Sequence, residues 1–363
     1  MNKEWLTYKE SGVDAETEER GLIRLAEWIN KTRDFRDDIG ASMLDLGYFA
    51  GVIKLSQRQG LAISTDGVGT KILLAQLMEK YDTIGIDCVA MNVNDLICVG
   101  AEPLAMVDYL AIRAPNASVL EQIAQGLHEG ARQARITIPG GEIAQVAEMI
   151  RGADRGEHFD LVGTAVGLVE LDRVLIGADI QVGDQVIGIL STGLHSNGFT
   201  LARRALFTRA KLSLDTFSPE LGATIGEALL QPTPIYVRPV LDVLSRELKV
   251  TALVNITGGG FLNLLRVQQP ATFELNRLPA PPPIFSLVQK SGNITDEEMY
   301  NVFNMGVGFC VVCREEDALH IQEVIKEHGF QAASIGTVTS TSKASVTIPG
   351  AGLLGTEHTF KRT

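Results

Sequence analysis

No run of about twenty apolar residues occurs in this chain, so a membrane-spanning helix is excluded. The opening residues, Met1-Asn2-Lys3-Glu4-Trp5, lack the apolar core of a secretion signal, and a cytoplasmic location is expected. Positive charge is in deficit, with 32 Lys and Arg against 44 Asp and Glu and a net charge of −12. That argues against nucleic acid or an anionic membrane as a partner. An anionic substrate stays possible in a local cationic pocket. Cysteine is scarce. The four are Cys88, Cys98, Cys310 and Cys313. Only the last two are closely spaced, and they lie in a run, residues 307–313, that reads as a buried strand. Residues three apart on a strand face opposite sides, so a zinc or redox pair is not expected there. All four read as reduced core thiols. The common nucleotide and nucleophile signatures are missing too. Asp66 to Lys71 lacks the G-x-x-x-x-G-K-[ST] spacing, the Gly258 to Gly260 run lacks G-x-G-x-x-G, and Ser196 does not sit in G-x-S-x-G, which sets aside the usual NTPase, dehydrogenase and serine-hydrolase readings.

What the chain does have is apolar residues, 45%, and glycine, 36 residues without a fixed period. At 363 residues, two domains are expected. Strands and helices alternate, and the pattern restarts near Glu170-Leu171-Asp172-Arg173. The expected division is a mobile segment 1–20, a first domain 21–170, a second domain 171–345 and a loose tail 346–363. The expected fold class is α/β (α+β).

The stretch 62–108 carries the most chemistry. A short strand, residues 61–65, ends in Asp66-Gly67-Val68-Gly69-Thr70-Lys71. A helix is predicted over 82–100, with Asp82 or Thr83 as its cap, Gly100 in the left-handed position after it and Pro103 as its stop. Ile86, Val89, Ala90, Val93 and Ile97 form its core stripe. Asp87, Asn94 and Asp95 fall on a different stripe. A helix this apolar belongs in the interior, where carboxylates are costly unless paired or bound to metal. The run therefore reads as a phosphate and metal site. Glycines allow close backbone approach, Lys71 supplies charge, and Asp66 and Asp95 are hard oxygen ligands suited to Mg²⁺. The bland alternative is a strand, a turn and a helix whose acids are capped or solvated.

Two more stretches repeat the design of strand, glycines, helix. They are Gly193-Leu194-His195-Ser196-Asn197-Gly198 and Thr257-Gly258-Gly259-Gly260. Helix starts present unpaired N–H groups and partial positive charge, which suits phosphate. Three such places beside an acidic helix suggest a protein that handles two phosphorylated molecules. His195, in the turn before a helix, suits phosphate binding or proton transfer near neutral pH. A glycine-rich stretch, residues 39–54 around Tyr48-Phe49, could wrap a ligand or simply connect. Helices are also expected at 21–33, with Leu22, Ile23, Leu25, Ala26 and Ile29 spaced for burial, and at 118–134 with Ser118 as cap.

Taken together these pieces resemble the aminoimidazole ribonucleotide synthetase family, also called phosphoribosylformylglycinamidine cyclo-ligase. The matching runs are Tyr8-Lys9 with Ser11-Gly12-Val13-Asp14, the stretch Asp45-Leu46-Gly47-Tyr48-Phe49-Ala50-Gly51, Ser64 through Lys71, Asp82 through Asp87, Val93-Asn94-Asp95-Leu96, and Gly100-Ala101-Glu102-Pro103. Gly140-Gly141-Glu142, Gly193 through Gly198, Pro232-Thr233-Pro234-Ile235-Tyr236, Thr257 through Phe261, and Met299-Tyr300 with Phe303-Asn304-Met305-Gly306-Val307-Gly308 complete the series in family order. The chain departs from the family at Ile143, where a Thr is usual, so either Glu142 or Glu148 takes the family's glutamate role.

The resemblance implies a first domain that forms a β-barrel with its copy in a homodimer, and a second domain in which a sheet packs with helices. It implies ring closure of formylglycinamidine ribonucleotide to 5-aminoimidazole ribonucleotide with ATP and Mg²⁺, through an iminophosphate, giving ADP and phosphate. Carried onto this chain, Asp66 and Asp95 would hold Mg²⁺. Lys71, Gly67, Gly69, Thr70 and Asn94 would meet the nucleotide, with Lys9 and the Gly47 to Gly51 loop closing over it. His195, Ser196, Asn197, Gly258, Gly259 and Gly260 would hold the phosphoribosyl substrate, and Glu142 its amidine. Asp66, Lys71 and His195 are the expected catalytic set. Another ATP-dependent member of the superfamily, such as a thiamine-monophosphate kinase, or a non-catalytic nucleotide-binding paralogue is the rival reading.

Overall fold

The computed structural model describes residues 5–12, 15–153 and 156–363. Val13 and Asp14 of the N-terminal motif, and the first four residues, lie outside these. Helix α1 (Ala15–Asn30) opens the described fold. Its spacing predicted burial, yet Leu22, Ile23, Leu25 and Ile29 are exposed, because no described element covers that face. The glycine-rich stretch after it ends in strand β1 (Gly51–Lys54), which forms a hairpin with β2 (Gln59–Gly67). A single 3₁₀ turn, Gly69–Lys71, then leads into α2 (Ile72–Met78).

Helix α3 (Ile84–Cys98) is buried on almost every side, as its composition predicted. Thr83 occupies its cap position without a side-chain bond, and Gly100 leaves it with φ +76. Pro103 already lies in β3 (Glu102–Ile112), so the helix ends at its glycine rather than at the proline. Helix α4 (Ala117–Ala134) is capped two residues earlier than expected. Asn116, not Ser118, accepts from the backbone of Ser118 and Val119. Strands β4 (Gly141–Gln145) and β5 (Phe159–Glu170) complete a five-stranded sheet of order β1-β2-β5-β3-β4. The inner face of this sheet packs on α3.

The second half begins with β6 (Gln185–Leu190), followed by α5 (Phe199–Arg203), which continues into a π-helical turn, Arg204–Arg209. A small hairpin, β7 (Phe217–Ser218) with β8 (Ala223–Thr224), precedes α6 (Ile225–Leu229). Helix α7 (Val237–Ser245), strand β9 (Val250–Asn255), a 3₁₀ turn at Gly260–Arg266, and β10 (Thr272–Glu274) follow. Then come α8 (Pro283–Gly292), α9 (Asp296–Val302), β11 (Val307–Cys313), α10 (Ala318–Glu327) and β12 (Ala332–Ser340). Strands β13 (Ser345–Ile348), β14 (Leu353–Thr356) and β15 (Thr359–Arg362) end the chain. The eight-stranded sheet has the order β15-β14-β13-β10-β12-β6-β11-β9.

The expected loose tail is therefore corrected. Leu353 and Phe360 are buried, and the backbone of Phe360 donates to Asn301 of α9 at 2.7 Å. The four cysteines are buried and free, two on α3 and two on β11. Neither sheet closes into a barrel among the described residues. The outer face of the first sheet, with Val107 and Tyr109 each 45% exposed, stays uncovered in the single chain. No helix among the described residues is long and apolar enough to cross a membrane.

Candidate active site

Helix α3 positions the first half of the site. Asn92 on its inner face holds the backbone of Asp66 at both ends. Its Oδ1 accepts from the Asp66 N–H at 3.0 Å, and its Nδ2 donates to the Asp66 carbonyl at 3.1 Å. The last residues of β2 are thus fixed while the Asp66 carboxylate turns back to accept from Gly67 N–H at 2.7 Å. Partial burial raises the Asp66 pKa, and that hydrogen bond offsets part of the shift. Across the sheet, Asp66 and Asp108 are both in register with Gly163. Two carboxylates therefore flank one glycine on the α3 side. A Cβ at Gly163 would sit 2.7 Å from Asn92 Nδ2, so the glycine is what lets Asn92 reach Asp66. Burial also raises Asp108.

One turn further along α3, Asp95 crosses to the second domain. Its Oδ1 accepts from Asn255 Nδ2 at 2.8 Å, at the end of β9. Burial pushes the Asp95 carboxyl up to about 7, with Asp66 adding to the shift and Asn255 and Arg266 opposing it. Two carboxylates that disfavour each other's charge are what a dication relieves. Among the described residues no three acidic, His or Cys side chains converge into a ready metal cage. Mg²⁺ beside phosphates needs only one or two carboxylates, its other positions going to water and phosphate oxygens. Asp66 and Asp95 fit that description.

The second half of the site is built from two turns that meet. In Gly193 to Gly198, His195 is buried with φ +61, and its Nε2 has no hydrogen-bond partner. Burial, with Lys71 adding, pushes the His195 pKa down to about 3, so the ring is neutral. Asn304 holds this turn by donating to the Gly193 carbonyl at 2.8 Å. The other turn, Gly258 to Gly260, follows β9 directly. Asn197 Oδ1 lies 3.4 Å from where a Cβ on Gly258 would stand, so the two glycine turns are neighbours. Gly260, at φ +55, passes so close to α9 that a Cβ would sit 2.6 Å from the Tyr300 carbonyl.

Three expected site residues are placed differently. Lys71 is wholly buried. Its Nζ lies 2.7 Å from Asp87 Oδ2 and donates to the Gln231 carbonyl at 2.7 Å. Asn94 is buried as well, donating to the Pro234 carbonyl and accepting from the Tyr236 N–H, both at 2.9 Å. The expected nucleotide contacts of these two are revised, since both side chains are committed to the join between the domains. Glu142 pairs in register with Tyr109, on the face opposite Asp108, and is exposed on the outer side of the sheet. Within one chain it is not brought to Asp66. Glu148 is exposed in the loop beyond β4.

The remaining residues line the domain junction. Thr70 Oγ1 lies 3.2 Å from Thr200 Oγ1 of α5, and Gly69 precedes it with φ +69. Of the Gly47 to Gly51 loop, Phe49 is buried under the Arg266 guanidinium, 4.9 Å from its ring centre, and Tyr48 donates to the Leu253 carbonyl at 3.4 Å. The loop is thus pinned beside Asp95 rather than loose. Lys9 lies in a turn that docks on the second domain, where Glu298 accepts from Tyr8 N–H and Arg204 donates to the Glu10 carbonyl. Asn92, Asn255, Arg266 and Thr233 were missed from the sequence. Their partners are far away in the chain, and no local spacing marks them.

The AIR synthase related protein N-terminal domain matches residues 47–169, and the C-terminal domain of the same name matches residues 181–349. A phosphoribosylformylglycinamidine cyclo-ligase from Methanobrevibacter smithii is 45% identical over 341 residues, covering 94% of this chain and 97% of that protein. The enzyme of the same name from Pyrococcus furiosus is 45% identical over 334 residues, 92% and 95% of the two chains. Among solved structures, AaThiL complexed with AMPPCP and TMP aligns with TM-score 0.60 at 17% identity, covering 90% of this chain and 92% of that one. Thiamine-monophosphate kinase from Stenotrophomonas maltophilia aligns with TM-score 0.59 at 19% identity, covering 88% and 94%. These two share the fold. With both domains matched in order and relatives 45% identical along nearly their whole length, the chain belongs to the phosphoribosylformylglycinamidine cyclo-ligase (AIR synthase) family.

Proposed function

We propose that this protein closes the imidazole ring of 5-aminoimidazole ribonucleotide from formylglycinamidine ribonucleotide, consuming ATP, in purine biosynthesis. The observation that carries the reading is the bond from Asp95 to Asn255, 2.8 Å long. It brings the acidic end of α3 against the strand that runs into Gly258 to Gly260, so an ATP half and a substrate half share one cleft. An amide oxygen leaves poorly. Transfer of the terminal phosphoryl group of ATP to the formyl oxygen turns it into a phosphate leaving group, and the substrate's own nitrogen then attacks that carbon. Such chemistry depends mostly on positioning and charge.

Asp66 and Asp95 would hold Mg²⁺, which neutralises charge on the transferring phosphoryl group. Gly67, Gly69 and Thr70 offer backbone and hydroxyl contacts to the nucleotide phosphates. Lys9 and the Gly47 to Gly51 loop flank the same junction. His195, Ser196, Asn197 and Gly258 to Gly260 face the phosphoribosyl substrate. A neutral His195 with an unspent Nε2 can make one hydrogen bond to the substrate, and its lowered pKa does not suit it to take up a proton near neutral pH. Its remaining role is to exclude water, since it is buried in the turn.

The uncovered outer face of the first sheet supports a homodimer, in which Glu142 would belong to the interface. A cytoplasmic enzyme without nucleic-acid or membrane partners accords with the acidic charge. The test is purified protein with ATP, Mg²⁺ and formylglycinamidine ribonucleotide, with aminoimidazole product and ADP both measured. Equal amounts of the two are expected. ADP without aminoimidazole would point to a kinase, and neither product would sink the reading.

A further inference from the structure

Residues 231–236, Gln-Pro-Thr-Pro-Ile-Tyr, cross between the domains as a strap with no regular secondary structure. Two prolines remove two backbone donors and hold the residues before them extended. What is left of the buried backbone must find partners elsewhere. The first domain supplies most of them. Lys71 donates to the Gln231 carbonyl at 2.7 Å, Asp87 Oδ1 accepts from the Thr233 N–H at 2.8 Å, and Asn94 serves Pro234 and Tyr236, both at 2.9 Å. Thr192 donates to the Pro232 carbonyl at 3.0 Å.

One side chain of the strap joins this scheme. Thr233 Oγ1 lies 2.7 Å from Asp87 Oδ1 and 3.2 Å from Ser196 Oγ. A threonine hydroxyl has one proton and a carboxylate has none. The Thr233 proton therefore goes to Asp87 Oδ1, while Lys71 Nζ lies 2.7 Å from the other carboxylate oxygen. Ser196 must then be the donor in its contact with Thr233. Its single proton is used, and only lone pairs remain for a ligand.

We propose that Thr233 is a positioning residue for the substrate half of the site: by taking the proton of Ser196, it fixes the Gly193 to Gly198 turn and makes Ser196 an acceptor. It follows that Ser196 recognises a donor on the phosphoribosyl substrate, a ribose hydroxyl or an amidine N–H, and not a phosphate oxygen. The inference rests on the cyclo-ligase reading above and names which part of the substrate meets this turn.

The test uses the intact enzyme in the cyclisation assay. Thr233→Val keeps the strap's N–H to Asp87 but removes the hydroxyl. It is expected to raise KM for formylglycinamidine ribonucleotide by about five- to tenfold, the effect of one lost hydrogen bond, while KM for ATP stays within about twofold. Ser196→Ala is expected to give the same split. The double variant should be no worse than either single one, since both remove one shared interaction. Thr233→Ser, which keeps the hydroxyl, should restore the wild-type KM. Additive losses, an equal rise in both KM values, or no rescue by Thr233→Ser would overturn the proposal. If Thr233→Val does not fold, Ser196→Ala decides alone, and an unchanged KM for the phosphoribosyl substrate overturns it. A wild-type protein that makes no aminoimidazole fails the cyclo-ligase reading instead, before any variant is compared.

Discussion

The ammonium of Lys71 and the carboxylate of Asp87 meet at 2.7 Å with both side chains fully buried between the domains. Removing one member of such a pair leaves an uncompensated charge, whereas removing both charges is often tolerated. Lys71→Met should therefore destabilise the protein by about 3–5 kcal/mol. Lys71→Met combined with Asp87→Asn should recover a large part of that, because the amide still accepts from Thr233. Urea unfolding of the three proteins measures it. A double variant less stable than Lys71→Met would show that the charges themselves hold the domains together.

How far the sequence foretold this arrangement depends on distance along the chain. The span of α3 was legible because apolar residues at helical spacing across its fifteen positions leave few alternatives. Strands β6 and β11 were legible for the same reason, as buried β-branched runs. The role of Lys71 was not. Its charge next to glycines read as a phosphate ligand, yet it pairs within the first domain and reaches a carbonyl 160 positions away. Asp87 stood out as a costly buried acid, but Thr233, its partner, lies 146 positions on. Local spacing carries no trace of such pairings. The terminal hairpin was lost to its glycines, which read as a loose tail, yet Gly352 takes φ +62 just before β14 and Gly355 packs closely on Phe360.

Asp66 offers a cleaner separation of chemistry from folding. Its backbone, not its carboxylate, is held by Asn92. Asp66→Asn should keep the fold and lose most turnover, with the Mg²⁺ concentration needed for half-maximal rate shifted upward. A Mg²⁺ titration of the residual activity checks it. Turnover within about twofold of wild type would remove Asp66 from the metal-binding role, since charge on a transferring phosphoryl group is worth several kcal/mol.

Two glycines with similar backbone angles should respond differently to alanine. Gly69 has φ +69 with open space around it, so Gly69→Ala pays only for the left-handed conformation, about 1–2 kcal/mol. Gly260 has φ +55, and a Cβ would stand 2.6 Å from the Tyr300 carbonyl and 2.7 Å from that of Phe303. Backbone atoms cannot yield as a flexible side chain does. Gly260→Ala should cost about 3 kcal/mol or more from strain and overpacking together. Thermal unfolding of both variants compares them. Equal losses would mean that the Gly260 turn can shift.

The outer face of the first sheet makes the homodimer testable. Val107 and Tyr109, each 45% exposed, sit on adjacent outward positions of β3. Charges on a buried interface core are poorly tolerated. Val107→Arg should move the protein from a two-chain to a one-chain species in sedimentation. A wild-type protein that sediments as one chain would end the proposal outright.

His195 links the site to acid stability. In the unfolded chain a histidine takes up its proton near pH 6.5. In the folded protein burial holds the ring neutral down to about 3. Between those values the unfolded state carries more protons, so stability rises with pH and falls on acidification. The slope contributed by one such group is at most about 1.4 kcal/mol per pH unit, present below pH 6.5 and absent above it. Carboxylates elsewhere add their own slopes, so the comparison must be with a variant. His195→Asn cannot take up the proton in either state. Its stability should fall less steeply than that of wild type between pH 6.5 and 4.5, while the two curves run parallel from pH 7 to 8. Urea unfolding at a series of pH values reads the difference directly. Parallel curves throughout would mean that His195 is protonated as readily in the folded protein as in the unfolded chain, and that the turn before α5 is open to solvent.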